Sequence, residues 1–182
     1  MISRKRGGLI IITDMVFRKA NVEDFHHIKD IFGKALLRMT EMGIDQWDEY
    51  YPNEDIIKND IAKGELFAGY LNGIAVSAIV LNERQDPEYS EINWQYRDGK
   101  AGIIHRLCVH PHAQGMGIGR KTVAFIEKEA LRLQCRHIRL DTFTNNPSAL
   151  ALYRSLGYQY AGDVMFRKGR FHCFEKSLCP NE

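Results

Sequence analysis

Apolar residues early in the chain recur at helical spacing. Phe25, Ile28, Ile31, Phe32, Ala35, Leu36 and Met39 fall on one face of a helix. Asn21 is placed to cap it, with Asp24 positioned to reach back to the cap, and Gly43 ends the helix or closely follows its end. Val16-Phe17-Arg18 ahead of it reads as a short strand. Pro52-Asn53 then punctuates the chain. Asn53 caps a second helix, with Glu54 and Asp55 in the first turn, where the helix dipole favours acids. Ile57 and Ile61 share its inner face, and Gly64 is the stop. The pattern next changes to strands: runs near 65–71 and 74–81 surround Asn72-Gly73, a strong hairpin signal.

Residues 82–100 are polar and carry Pro87 and Gly99, which predicts a long connection. A strand is expected from Ile103 to Val109. After a glycine-rich turn, Val123, Ile126, Ala130 and Leu133 mark a long amphipathic helix. His137 to Asp141 reads as the next strand. Asn146-Pro147 opens another helix, since Asn caps well and Pro is favoured at the first helical position. Gly157 ends it, and last strands are expected near Tyr158–Ala161 and Phe171–Lys176. Two helices followed by a central sheet with interspersed helices predict an α/β or α+β domain of three layers, a single domain over residues 15–182.

Composition fits this picture without enlarging it. The 182 residues are 45% hydrophobic and 26% charged, as in an ordinary globular domain. A net charge of +2, from 25 Lys and Arg against 23 Asp and Glu, is too balanced for a nucleic-acid partner. The run Arg4-Lys5-Arg6 is short and terminal and reads as a solvated tail. Cys108, Cys135, Cys173 and Cys179 form no C-x-x-C pair, which fits free thiols in a reducing cytoplasm. His110-Pro-His112 lacks a further ligand set, so no metal is expected. No segment is long enough to span a membrane. Leu9-Ile10-Ile11-Ile12 follows basic residues, but falls far short of the roughly 7–15 apolar residues of a signal peptide. Residues 1–14 are expected to be a flexible extension, or the product of a start codon placed too early, ahead of a second methionine, Met15.

The most informative stretch runs from Leu107 to Arg120: a strand, a turn, and then Gln114-Gly115-Met116-Gly117-Ile118-Gly119 opening a helix. Glycines let backbone approach a ligand closely and turn N–H groups outward. A helix N-terminus adds unpaired donors and the positive end of the dipole. Together they make an anion cradle suited to a pyrophosphate. A dinucleotide fingerprint would need glycine where Arg120 stands, and a Walker A loop would need Lys after Gly119. Both nucleotide readings fail on spacing, and a tight turn without any ligand also fits this stretch alone.

A second motif changes the balance. Asp141 is followed by Asn146-Pro-Ser-Ala-Leu-Ala-Leu-Tyr153-Arg-Ser-Leu-Gly157-Tyr158. With Gln114-x-x-Gly117-x-Gly119, in this order and at this separation, the chain resembles the GNAT superfamily of N-acetyltransferases from about Met15 to Leu178. The amino-terminal half matches in layout more than in residues.

The resemblance implies an enzyme that passes acetyl from acetyl-CoA to a small-molecule or peptide amine by direct attack in a ternary complex. It implies a cleft beside the strand ending at Val109, with the pantetheine arm along Leu107 and Val109. The pyrophosphate would lie on the N–H groups of Gly115, Met116, Gly117, Ile118, Gly119 and Arg120. Asn146 would hydrogen-bond the arm while also capping its helix. Tyr153 would be the acid that protonates the leaving thiolate; otherwise it is a core aromatic beside Leu150 and Leu156. Cys108 needs no role as a nucleophile and fits a small core residue. His105 is a candidate base, directly or through water, and equally fits a structural histidine. Strand alternation places it on one side with Ile103, Leu107 and Val109.

In the family, the segment between the first two helices borders the acceptor. Trp47, Tyr50 and Tyr51 beside Asp45, Asp48 and Glu49 would attract a cationic amine, or simply cover the core. His172 on the last strand is a further candidate for the cleft. Family members often pair as homodimers, so a second copy is among the expected partners. Two alternatives stay open: a non-catalytic module that binds or senses acyl-CoA, and a phosphate-ligand binder outside the family.

Overall fold

The computed structural model describes residues 15–179, and the expected extension over residues 1–14 lies outside them. The described chain opens with β1 (Met15–Lys19), a turn of 3-10 helix at Val22–Asp24, and α1 (Phe25–Glu41). The capping box forms as expected. Asn21 Oδ1 accepts the N–H of Asp24, and Asp24 Oδ2 accepts the N–H of Asn21 at 2.8 Å. Asn53 Oδ1 likewise accepts the N–H of Ile56 at the start of α2 (Glu54–Ala62). Both helices lie on one face of the sheet. Ile28, Ile31 and Phe32 of α1 and Ile57 and Ile61 of α2 bury against Leu66, Ala68, Ala78 and Val80.

The hairpin of β2 (Leu66–Leu71) and β3 (Ile74–Asn82) turns at Asn72-Gly73, where φ is 51° and 79°. Positive φ at both central residues is what a tight hairpin matched to strand twist requires. Then come β4 (Lys100–Val109), α3 (Ile118–Arg132), β5 (Cys135–Phe143), α4 (Pro147–Ser155), β6 (Gln159–Phe166) and β7 (Gly169–Ser177). The seven strands form one sheet in the order β1-β2-β3-β4-β5-β7-β6. Neighbours are antiparallel except β4 and β5, which α3 joins as a parallel crossover. Val123, Ile126 and Ala130 of α3 cover the second face of the sheet over Ile79, Leu81, Ile104, Ile138 and Leu140. The expected mixed, mostly antiparallel sheet between two helical layers is therefore the observed architecture.

Two expectations need revision. Several strands are longer than their apolar patterns: β4 already starts at Lys100, where Lys100, Ala101 and Gly102 pair with Cys135, His137 and Ile138. Ladder hydrogen bonds are backbone properties, so pairing continues where side-chain alternation is absent. The connection at 82–100 is also not simply a polar loop. It buries Tyr89, Ile92 and Trp94 against Ile103, Phe171 and Cys173. Its backbone is pinned as well, with the N–H groups of Gln95 and Tyr96 donating to the Glu175 carboxylate at 2.7 and 3.1 Å.

The Arg18 guanidinium, in a two-pronged hydrogen bond at 2.6 and 2.8 Å, holds the Asp24 carboxyl down at about 2. A depressed folded-state value stabilises above the unfolded value near 4 and is lost as pH falls toward 2. Arg18 is half-exposed, so screening leaves about 1 kcal/mol of this term. Asp24→Asn should therefore lower stability by about 1 kcal/mol at pH 7 and flatten the loss between pH 4 and 2, as read from urea melts across that range.

Candidate functional site

Strands β4 and β5 pair only as far as Ile104 and Leu140. Beyond that point β4 stays with β3 through Ser77 and Val109, while β5 stays with β7 through Asp141, Thr142 and Phe143. The parted strands bound a cleft of about 550 Å³. A β-bulge marks the parting: Arg106 has φ 53°, and the β3–β4 register shifts between Ala78 and Val80. The bulge resets the alternation of β4. His105 lies opposite Val80 on the α1 face, whereas Leu107 packs on the α3 side with Ile104. The expectation that His105, Leu107 and Val109 share one side therefore fails, because an extra residue at the bulge changes the parity.

The loop Gln114–Arg120 forms one wall. Gly115 and Gly117 have φ of 76° and 73°, a region that glycine enters without strain. A Cβ at either would meet nothing within 4 Å, so the space before the loop is open. Gly117 is the N-cap of α3 and offers no side-chain cap, while Asn53 and Asn146 do so for α2 and α4. The first N–H groups of α3 are thus left for a ligand at the positive end of the dipole. Gln114 Nε2 donates to the carbonyl of Val109 at 3.1 Å, closing the turn onto the strand end. The Arg120 guanidinium donates to Ser155 Oγ at 2.7 Å, fastening this wall to the end of α4.

The start of α4 forms the opposite wall. Asn146 Oδ1 caps by accepting the N–H of Ala149, and Asn146 Nδ2 donates to Gln46 Oε1 at 2.8 Å. Tyr153, at 5% exposure, lines the cleft with its ring against Tyr158 and Phe174. Burial pushes its phenol well above the ordinary value, so it keeps its proton at neutral pH.

A second cavity of about 290 Å³ adjoins the cleft, and Gln46, Trp47, Ile104, Arg106 and Asp141 line both. Arg106 stands between them, bonded to Asp60 Oδ2 at 2.7 Å and donating to the Tyr51 hydroxyl at 2.7 Å. Its side chain and that of Asp60 are 9% and 2% exposed. Asp141 is pushed up to about 6, mainly by burial, against the lowering effect of a 2.7 Å hydrogen bond from the Tyr89 hydroxyl. Burial and the neighbouring Arg106 take His105 down to about 4. His105 Nε2 lies 3.1 Å from Asn82 Oδ1, an oxygen that also accepts the N–H of Arg84.

The profile described as the acetyltransferase (GNAT) family matches residues 30–158. The chain belongs to the GNAT family of acetyltransferases. A probable spermine N(1)-acetyltransferase of Bacillus subtilis subsp. natto is 33% identical over 104 residues, 57% of this chain and 62% of that protein. The chain thus spans less than two thirds of the length of that relative. An uncharacterised N-acetyltransferase of Bacillus subtilis, YesJ, is 24% identical over 86% of each chain. Among solved structures, a GNAT acetyltransferase of Streptococcus agalactiae superposes with a TM-score of 0.79 at 23% identity, covering 91% of this chain and 96% of that one. An acetyltransferase of Salmonella typhimurium with its cofactor acetyl-CoA scores 0.66 at 20% identity, covering 92% and 95%.

Most of the expected GNAT site comes together around the cleft: Leu107, Val109, Gln114, Gly115, Gly117, Ile118, Gly119, Arg120, Asn146 and Tyr153 all line it. Met116, between two left-handed glycines, does not. His105 lines the second cavity and not the cleft. Trp47 lines both and also packs on Phe32. Tyr50 stands outside both cavities at 70% exposure, since its neighbour Tyr51 takes the inward place. His172 also lies outside, held at 2.6 Å by the Asp163 carboxylate across the β6–β7 ladder. Cys108 is buried core, and burial raises its thiol. Sequence reasoning missed Arg106, Asp60 and Gln46, whose roles depend on a bulge and on contacts remote in sequence. Among the described residues, no three His, Cys, Asp or Glu gather as for a metal, and no helix is long and apolar enough to cross a membrane.

Asp60→Ala would leave the Arg106 guanidinium buried without its carboxylate. Loss of one partner of such a pair costs about 3–5 kcal/mol, which a urea or thermal melt would register directly.

Proposed function

We propose that this protein transfers acetyl from acetyl-CoA to a primary amine by direct attack in a ternary complex. The observation that carries the reading is the uncapped, glycine-led start of α3, opening onto a cleft that also holds Asn146 and Tyr153. An anionic pyrophosphate suits this wall, because it supplies aligned N–H donors without a carboxylate to oppose it. The N–H groups of Gly115, Gly117, Ile118, Gly119 and Arg120 would hold that group. The free edge of β4 at Leu107 and Val109 would pair with the amide-bearing arm, and Asn146 would face it from α4. The relative from Salmonella typhimurium with acetyl-CoA, and one from Thermoplasma acidophilum in complex with coenzyme A, support this ligand.

Acetyl-CoA supplies an activated acyl group as a thioester, and the rest falls to the chain. The acceptor nitrogen forms the new C–N bond as the C–S bond breaks. Tyr153, which burial keeps protonated, gives its proton to the departing sulfur. The proton shed by the nitrogen goes to a base. His105, at about 4, is the weaker acceptor, and Asp141, at about 6 and on both cavities, is the stronger. We assign the role to Asp141, with His105 kept neutral beside the acceptor. Trp47 forms a shared wall.

The reading is tested by thiol release from acetyl-CoA across a panel of amines and peptides. Release that depends on one acceptor class is expected; CoA binding without release on any amine would point instead to a binding module. Tyr153→Phe should lower kcat about 100-fold while leaving CoA affinity within about twofold. The kcat–pH profile should rise through about pH 6 with the wild type, as Asp141 ionises, and lose that limb in Asp141→Asn. A limb retained in that variant would remove Asp141 from the role.

A further inference from the structure

The second cavity carries information about the acceptor. Five of its twelve lining residues are aromatic or apolar: Trp47, Tyr51, Ile104, Phe166 and Phe171. Its cations are already matched. Arg106 is bonded to Asp60, Arg167 lies 2.8 Å from Asp48, and Lys168 pairs with Asp45 and Asp48. Its acids are not. Asp86 forms no side-chain hydrogen bond or ion pair among the described residues, and Asp141 has only the neutral hydroxyl of Tyr89. The unspent charge of the cavity is therefore negative, at its junction with the cleft and on the 82–100 connection.

We infer that this cavity takes an acceptor with a single primary ammonium group on a compact apolar or aromatic body, its nitrogen drawn in by Asp86 and Asp141. The inference rests on the acetyl-transfer reading of the adjoining cleft. Three features converge on it. The volume, about 290 Å³, suits a small molecule and not a long chain. Aromatic faces favour both an apolar body and a cation. The position also matters, because Asp141 lines both cavities and a nitrogen held near it stands at the entrance to the thioester cleft. A polyamine fits this lining less well. Its further ammonium groups would meet Arg167 and Lys168, whose carboxylate partners are already engaged. Asp86 is a specificity-determining residue in this account, set by a connection whose course is fixed through Tyr89, Trp94 and Glu175.

Calorimetric titration of the full chain with 2-phenylethylamine, without acetyl-CoA, tests the cavity alone. Thiol-release kinetics with 2-phenylethylamine, spermidine and glycine then test its link to turnover. The expected results are measurable amine binding, no binding of the uncharged isostere 2-phenylethanol, and kcat/KM for the arylalkylamine at least about tenfold above spermidine. Asp86→Asn should raise Kd and KM for the amine about tenfold with kcat little changed, the loss expected for one charged contact. Glu91→Gln removes an exposed charge from the same segment outside both cavities and should change neither. Spermidine or glycine preferred over the arylalkylamine, with robust thiol release, would overturn the inference and leave the acetyl-transfer reading standing. An Asp86→Asn protein that binds and turns over the amine like the wild type would also overturn it. CoA binding without release on any amine would count against the acetyl-transfer reading, and the calorimetry would still decide the cavity.

Discussion

The site depends on one backbone event, the bulge at Arg106 where β4 parts from β5. A parallel pair that stayed in register to its end would close the space between Val109 and Phe143 with ladder hydrogen bonds. The positive φ at Arg106 and the shift against β3 turn β4 aside, leaving a free strand edge on one side of a wedge. Left-handed backbone at a non-glycine residue costs about 1–2 kcal/mol and persists only where surroundings compel it. Here the Arg106 side chain is locked between Asp60 of α2 and the Tyr51 hydroxyl. The helix layer thus holds the strand in the shape that makes the cleft.

Each wall of the wedge then receives a different chemistry. The α3 side offers backbone donors, since glycine replaces the Asn caps used elsewhere in the chain. The α4 side offers a hydroxyl whose burial keeps it protonated. The floor offers a carboxyl raised toward neutrality. One cause, burial, acts on both: it keeps the Tyr153 phenol protonated and raises the Asp141 carboxyl. Burial disfavours the charged form of each, which makes phenol a more reluctant acid and carboxylate a more willing base.

Elements that depend on local sequence were legible. The Asn21–Asp24 capping box, the Asn53 and Asn146 caps and the Asn72-Gly73 turn involve neighbours within a few residues, and all appear where expected. The glycine loop and Asn146-x-x-x-x-x-x-Tyr153 were readable because each keeps its spacing within a single strand–helix unit. What escaped was set by partners far apart in the chain. The inward turn of Tyr51 in place of Tyr50 follows from Arg106, and the link from Asn146 to Gln46 joins residues with no local signal. His105 was misplaced for a related reason, since period-two reasoning assumes an unbroken strand and a single bulge inverts every side chain beyond it.

The stretch between β3 and β4 has the composition of a linker but the bonding of a wedge-shaped plug. Arg139 donates to Gln85 Oε1 and to the carbonyl of Tyr96, Trp94 Nε1 donates to the carbonyl of Tyr89, and Glu175 receives two backbone N–H groups. Its length is therefore matched to the sheet beneath it, unlike the open turn at Asn72-Gly73, where a Cβ at Gly73 would meet nothing within 4 Å. Inserted residues or a fused tag would be absorbed at that hairpin tip without reaching the cavities. The same insertion between Asp86 and Tyr96 would shift the register of the plug and displace Tyr89 and Asp86 together, so that a change in loop length would reshape the wall of the second cavity.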